Sequence, residues 1–80
     1  MNNQDYVTKD LYLTVYLLSI GNDPILKKEG TDDRFAFGFV NSDALQGEIK
    51  KFYERGASVE PMQFCVSLKQ LKSRMYNFQD

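Results

Sequence analysis

Apolar positions along the chain fall into blocks, and their spacing changes from block to block. From Leu11 to Ile20 eight of ten residues are apolar. Thr8 precedes this run as a good helix N-cap, with Asp10 in the first turn favouring the positive end of the helix dipole. Gly21 follows where a left-handed C-cap residue belongs. The pattern predicts a helix over 11–20, too short to span a bilayer. A helix apolar nearly all round is either central or docked on another chain. Asn22-Asp23-Pro24 then breaks the chain. Ile25 to Glu29 reads as a short strand, turned by Gly30-Thr31-Asp32-Asp33. Arg34 to Val40 alternates, with Phe35, Phe37 and Phe39 on one face and Arg34, Ala36, Gly38 and Val40 on the other. The two segments predict a β-hairpin.

The period then returns to that of a helix. Ser42 is the expected cap of a segment whose Leu45, Ile49, Phe52 and Tyr53 share a face, with Gly56 as its stop. The last helix has the best start signal: Glu60 as cap, Pro61 at the first helical position, and Val59 placed to staple onto Phe64. Phe64, Leu68, Leu71, Met75 and Phe78 continue it as an apolar stripe. The predicted order is α-β-β-α-α, an α+β fold in one small domain over 8–78, behind a flexible N-terminus at 1–7. The phenylalanine face of the hairpin is expected to pack under the helices.

Composition narrows the chemistry. Eighty residues with six phenylalanines and five tyrosines make one domain near the lower limit for independent folding. Its aromatic surplus is expected to face a partner. Ten basic against eleven acidic residues leave a net charge of −1, without the basic excess of most stand-alone nucleic-acid binders. There is no histidine, so the commonest general base and metal ligand is missing. The single cysteine, Cys65, can form no disulfide within the chain and is expected as a small core filler. No zinc ligand set, calcium loop or phosphate loop stands out, and Glu29, Asp32 and Asp33 read as a solvated turn. The expectation is a non-enzymatic protein with no catalytic residues, cofactor, metal or small-molecule substrate. With neither a signal peptide nor a membrane span in view, it is expected to be soluble and cytoplasmic.

Two surfaces remain as candidate sites. On the last helix Cys65, Lys69, Lys72 and Tyr76 share a face beside the apolar stripe, suited to an acidic protein surface or a phosphate backbone. On the first, Tyr12 and Tyr16 lie one turn apart and are candidates for a dimer or partner surface. A protein-binding module using Tyr12, Tyr16, Lys69, Lys72 and Tyr76 is the first expectation, with a homodimer also in view. The alternative is a dimeric nucleic-acid-binding regulator using Lys50, Lys51, Lys69, Lys72 and Arg74. The run "RFAFGFV" resembles part of the RNA-recognition motif. Thirteen residues separate Ile20 from Arg34, too few for the helix and edge strand that the motif requires between its aromatic strands.

Asp10-Leu11-Tyr12, Gly21, Phe37-Gly38-Phe39, Ser42-Asp43, Phe64, Leu71-Lys72 and Tyr76 together resemble a small uncharacterised family of bacterial and phage proteins. The resemblance spans Lys9 to Tyr76 and consists mostly of packing positions. It implies this fold and a phage or mobile-element origin, and it transfers no catalytic residue. Asn22-Asp23 stands where that family often has a basic or histidine-containing stretch. With that provenance, the acidic balance, aromatic surplus and small size fit a protein-binding module that inhibits or assists a host defence or nucleic-acid-processing machine.

Overall fold

A computed structural model describes residues 5–28 and 34–78 of the chain. Its elements run β1 (Tyr6–Thr8), α1 (Leu11–Ser19), β2 (Ile25–Lys28), β3 (Phe35–Phe39), α2 (Asp43–Tyr53) and α3 (Pro61–Tyr76). The strands form one antiparallel sheet in the order β1-β3-β2. The alternation in β3 decides the architecture. Phe37 and Phe39 are buried, and Phe35 is half-buried at the strand's start. Directly opposite partners point to the same side of a sheet, so Leu26 and Thr8 flank Phe37 while Tyr6 flanks Phe39. This side carries the helices, and the hairpin's phenylalanine face packs under them as expected.

α1 is the centre of the molecule. Leu13, Val15, Tyr16 and Leu17 are buried together with Phe37 and Phe39 of the sheet, Leu45 and Ile49 of α2, and Leu71 of α3. With the sheet below and a helix on each side, α1 has no solvated face over most of its length. Its near-uniform apolarity follows from that position. Thr14 is buried as well, and its hydroxyl donates to the Asp10 carbonyl at 2.9 Å. The molecule measures 37 × 35 × 18 Å, its short axis matching one sheet and one helix layer.

Among the described residues the opposite side of the sheet carries no helix. Val7 and Ile25 flank Gly38 there, and Lys27 flanks Ala36. Ala36 is nonetheless fully buried, because small residues on a central strand are shielded by taller neighbours. The alkyl chain of Lys27 lies over Gly38, where an added Cβ would meet Lys27 Cε at 3.5 Å.

Four expectations are corrected. The N-terminal stretch placed outside the domain contributes β1: Val7 pairs with Gly38 across an antiparallel ladder. Thr8 belongs to this strand and does not cap α1. The cap is Asp10, whose carboxylate accepts from the Leu13 amide at 3.1 Å, while Thr8 Oγ1 accepts from the Asp10 amide at 3.1 Å. α2 ends at Tyr53 with Glu54 as its C-cap, and its left-handed residue falls one position before Gly56: Arg55 has φ 63°, and the Gly56 amide donates to the Lys51 carbonyl at 2.7 Å. Cys65 is exposed, not a core filler. The remaining ends follow the sequence: Gly21 has φ 105°, Ser42 caps α2, and Glu60 caps α3 ahead of Pro61. The hairpin turn, with Glu29, Asp32 and Asp33, lies outside the described residues.

Candidate functional site

Two features of the helical layer carry candidate chemistry. The first is a polar lock between α1 and α2, which run antiparallel. At one end Asp10 both caps α1 and accepts from the Tyr53 hydroxyl at 2.7 Å. At the other, the Tyr16 hydroxyl donates to Glu48 Oε1 at 2.6 Å. Lys51 Nζ stands 3.5 Å from the second Glu48 oxygen. The Tyr16 ring is itself held in place, 3% exposed and 5.7 Å from the Phe52 ring.

These contacts shift ionisation in the direction that keeps them. The hydrogen bond to Glu48, then burial and the carboxylate's charge, push the Tyr16 phenol up to about 12. Its partner moves the other way. The Tyr16 hydrogen bond holds the Glu48 carboxyl below its ordinary value; the loss of hydration opposes this, and Lys51 reinforces it. Tyr53 is likewise pushed up to about 12, chiefly by its bond to Asp10.

Beside the Tyr16–Glu48 contact the surface opens into a groove of about 440 Å³. Tyr16, Ile20 and Asn22 line one wall, and Ala44, Leu45, Glu48 and Lys51 the other. Gly56 and Ser58 of the α2–α3 connection also line it. Glu48 presents a fixed, ionised carboxylate to this space. Among the described residues no group of three or more histidine, cysteine, aspartate or glutamate side chains is arranged to hold a metal ion. Among the described residues no helix is long and apolar enough to cross a membrane.

The second feature is the outer side of α3. Its inward stripe is Phe64, Ser67, Leu68, Leu71 and Met75, all buried or half-buried. At 100° per residue the opposite side collects Met62, Cys65, Val66, Lys69, Lys72, Ser73 and Tyr76, all exposed. Met62 is 66% exposed, Val66 43% and Tyr76 89%. From Pro61 to Phe78 the chain has Lys69, Lys72 and Arg74 and no acid. The ridge is therefore apolar and basic.

The expected site residues divide accordingly. Lys69, Lys72 and Tyr76 lie together on the α3 ridge. Tyr12 and Tyr16 separate: Tyr12 is 58% exposed, whereas Tyr16 is 3% exposed and shares no open surface with it. One turn of helix places the two on a common face, yet α2 covers only the later one. Of the basic residues in the alternative reading, Lys50 is exposed. Lys51 faces Glu48, and Arg74 forms a 2.8 Å ion pair with Asp23. Met62 and Val66 were not among the expected site residues, although helical spacing along α3 places them beside Lys69. Sequence reasoning also missed Glu48, which stands 32 residues from Tyr16 with no local signal to connect them.

The model of a family described as a domain of unknown function, DUF5659, matches residues 3–77. The chain belongs to that family. No curated protein and no solved structure matches it.

Proposed function

We propose that this DUF5659 chain is a small non-enzymatic protein-binding module that engages its partner through the outer ridge of α3. The observation that carries this reading is the exposed run of Met62, Val66 and Tyr76 on a helix whose other side is already committed to the core. Scattered exposed apolar residues are ordinary; here Met62 and Val66 stand one turn apart and Tyr76 lies further along the same side, with Lys69 and Lys72 between, a mixed apolar and basic ridge suited to a partner. A tyrosine near its end adds a large amphipathic contact of the kind enriched at interfaces. Lys69 and Lys72 set the chemistry of the partner. A second copy of the chain would bring these lysines against their own images, whereas an acidic surface would complement them. The finer part of the proposal is that the partner belongs to a host defence or nucleic-acid-processing machine, and it rests on the family resemblance.

Cys65 supplies the test, because it is the chain's only cysteine and lies on the ridge. A photoreactive maleimide at Cys65 is expected to cross-link one protein partner in the source cell. Val66→Asp or Lys69→Glu with Lys72→Glu should abolish the cross-link while the fold persists, since all these side chains are exposed. A cross-link unchanged by either variant overturns the assignment. So does a steeply salt-dependent mobility shift with DNA or RNA that depends on Lys50, Lys69 and Lys72.

A further inference from the structure

The α1–α2 groove lies outside the ridge just assigned, and its chemistry is different. Its Glu48 carboxylate is oriented by the hydroxyl of a core tyrosine, and the buried Leu45 lines the same groove. Such a group costs little to reorganise when a cation arrives, since Tyr16 fixes its position in advance. The Tyr16 bond uses one acceptor direction of Oε1 only, and a carboxylate offers about four. Lys51 occupies the second oxygen at 3.5 Å through an i,i+3 pair whose lysine side chain is 59% exposed. A pair of that kind contributes little and exchanges readily. The rest of the groove is mixed: Ile20, Ala44 and Leu45 offer apolar wall, and Asn22 and Ser58 offer polar groups.

We infer that this groove is a receptor for a guanidinium group carried on an aliphatic stem, with Glu48 as its counter-ion. A planar fork matches the free edges of a carboxylate in two bonds, which an ammonium does not. A guanidinium is also weakly hydrated and tolerates apolar walls. At 440 Å³ the space is at the small end for ligand pockets, sized for one long side chain or a molecule of that order. Lys51 then acts as a weak internal competitor that the ligand displaces toward solvent.

The test follows amide resonances of the labelled full-length chain during titration with N-acetyl-arginine amide. N-acetyl-citrulline amide, its neutral isostere, and N-acetyl-lysine amide serve as comparisons. Shifts are expected at Ile20, Ala44, Glu48, Gly56 and Ser58, with the arginine compound binding about tenfold tighter than either comparison. Glu48→Gln, which keeps an acceptor for Tyr16, should remove the response. Lys51→Met should tighten binding about 2- to 5-fold. Free arginine separates the sources: tighter binding than the capped form identifies a small molecule, and equal or weaker binding identifies a protein side chain. The inference is overturned by an equal response to citrulline or lysine, by a Glu48→Gln variant that binds unchanged, or by shifts that map elsewhere. Loss of the α3 ridge leaves all these outcomes in place, so the two proposals fail separately.

Discussion

Tyr16 and Tyr53 perform the same task from opposite helices, each phenol donating to a carboxylate on the other. Tyr16→Phe keeps the ring and its packing but removes the bond to Glu48. The expected cost is about 1.5 kcal/mol by urea denaturation, at the low end for a charged bond because Glu48 keeps some solvent. The pair also predicts an alkaline transition. In the unfolded chain a phenol ionises near pH 10, whereas Tyr16 and Tyr53 hold their protons to about 12 in the fold. Their contribution is complete below pH 10 and is lost as the pH rises from 10 to about 12. Urea midpoints at pH 8 and pH 11.5 should show this fall, reduced in the Tyr16→Phe, Tyr53→Phe double variant. Glu48 works in the acid direction, since its lowered value gives stability present above the ordinary carboxylate range and lost as the pH falls through it. None of these partners was legible in the sequence. A hydrogen bond across 32 or 43 residues leaves no local pattern, and Tyr53 read simply as one more apolar-face residue.

The helix ends test how far local signals determine structure. α1 and α2 finish in the same hydrogen-bonded motif. The amide two residues beyond each cap bonds back to the helix: Asn22 to the Leu17 carbonyl, Gly56 to that of Lys51. The residue in the left-handed position is Gly21 in one and Arg55 in the other. The sequence showed the first and misplaced the second by one residue, because Gly56 drew attention from the non-glycine beside it. Opposite substitutions should have opposite effects. Arg55→Gly relieves a side chain from an unfavourable φ and should raise stability by about 0.5–1 kcal/mol. Gly21→Ala should lower it by about 1 kcal/mol or more, as a pure backbone cost, since an added Cβ there meets nothing within 4 Å. At the other end of α1, Asp10→Ala loses both the cap and the Tyr53 bond. A cost near 2 kcal/mol is expected in thermal melts, against a smaller one for Asp10→Asn, which still caps.

At the scale of the molecule, the α+β class and most of the core could be read from the spacing of Phe35, Phe37 and Phe39 and from the α3 stripe. The third strand could not. Tyr6-Val7-Thr8 has too few residues to show alternation, and its strand character comes wholly from pairing with β3, which makes β3 a central strand. Deleting residues 1–8 should therefore do more than trim a tail. It uncovers one edge of β3 and the flank of Phe37 and Phe39, and the shortened chain should lose sharp near-ultraviolet dichroism and dispersed amide resonances. In a domain this small the margin is thin. Leu71→Ala, at a fully buried site beside α1, should cost about 2–5 kcal/mol and leave the protein largely unfolded at 37 °C.

The position of α1 bears on biosynthesis. The helix that needs the most cover, α1, leaves the ribosome before α3, which supplies much of that cover. Roughly forty residues separate the two, a delay of several seconds at about 5–20 residues per second. Throughout that interval the α3-facing side of Leu11 to Ile20 stays open, available to chaperones or to neighbouring nascent chains. A chain ending before Pro61 would leave the α3-facing side of α1 open for good, an apolar surface prone to aggregation.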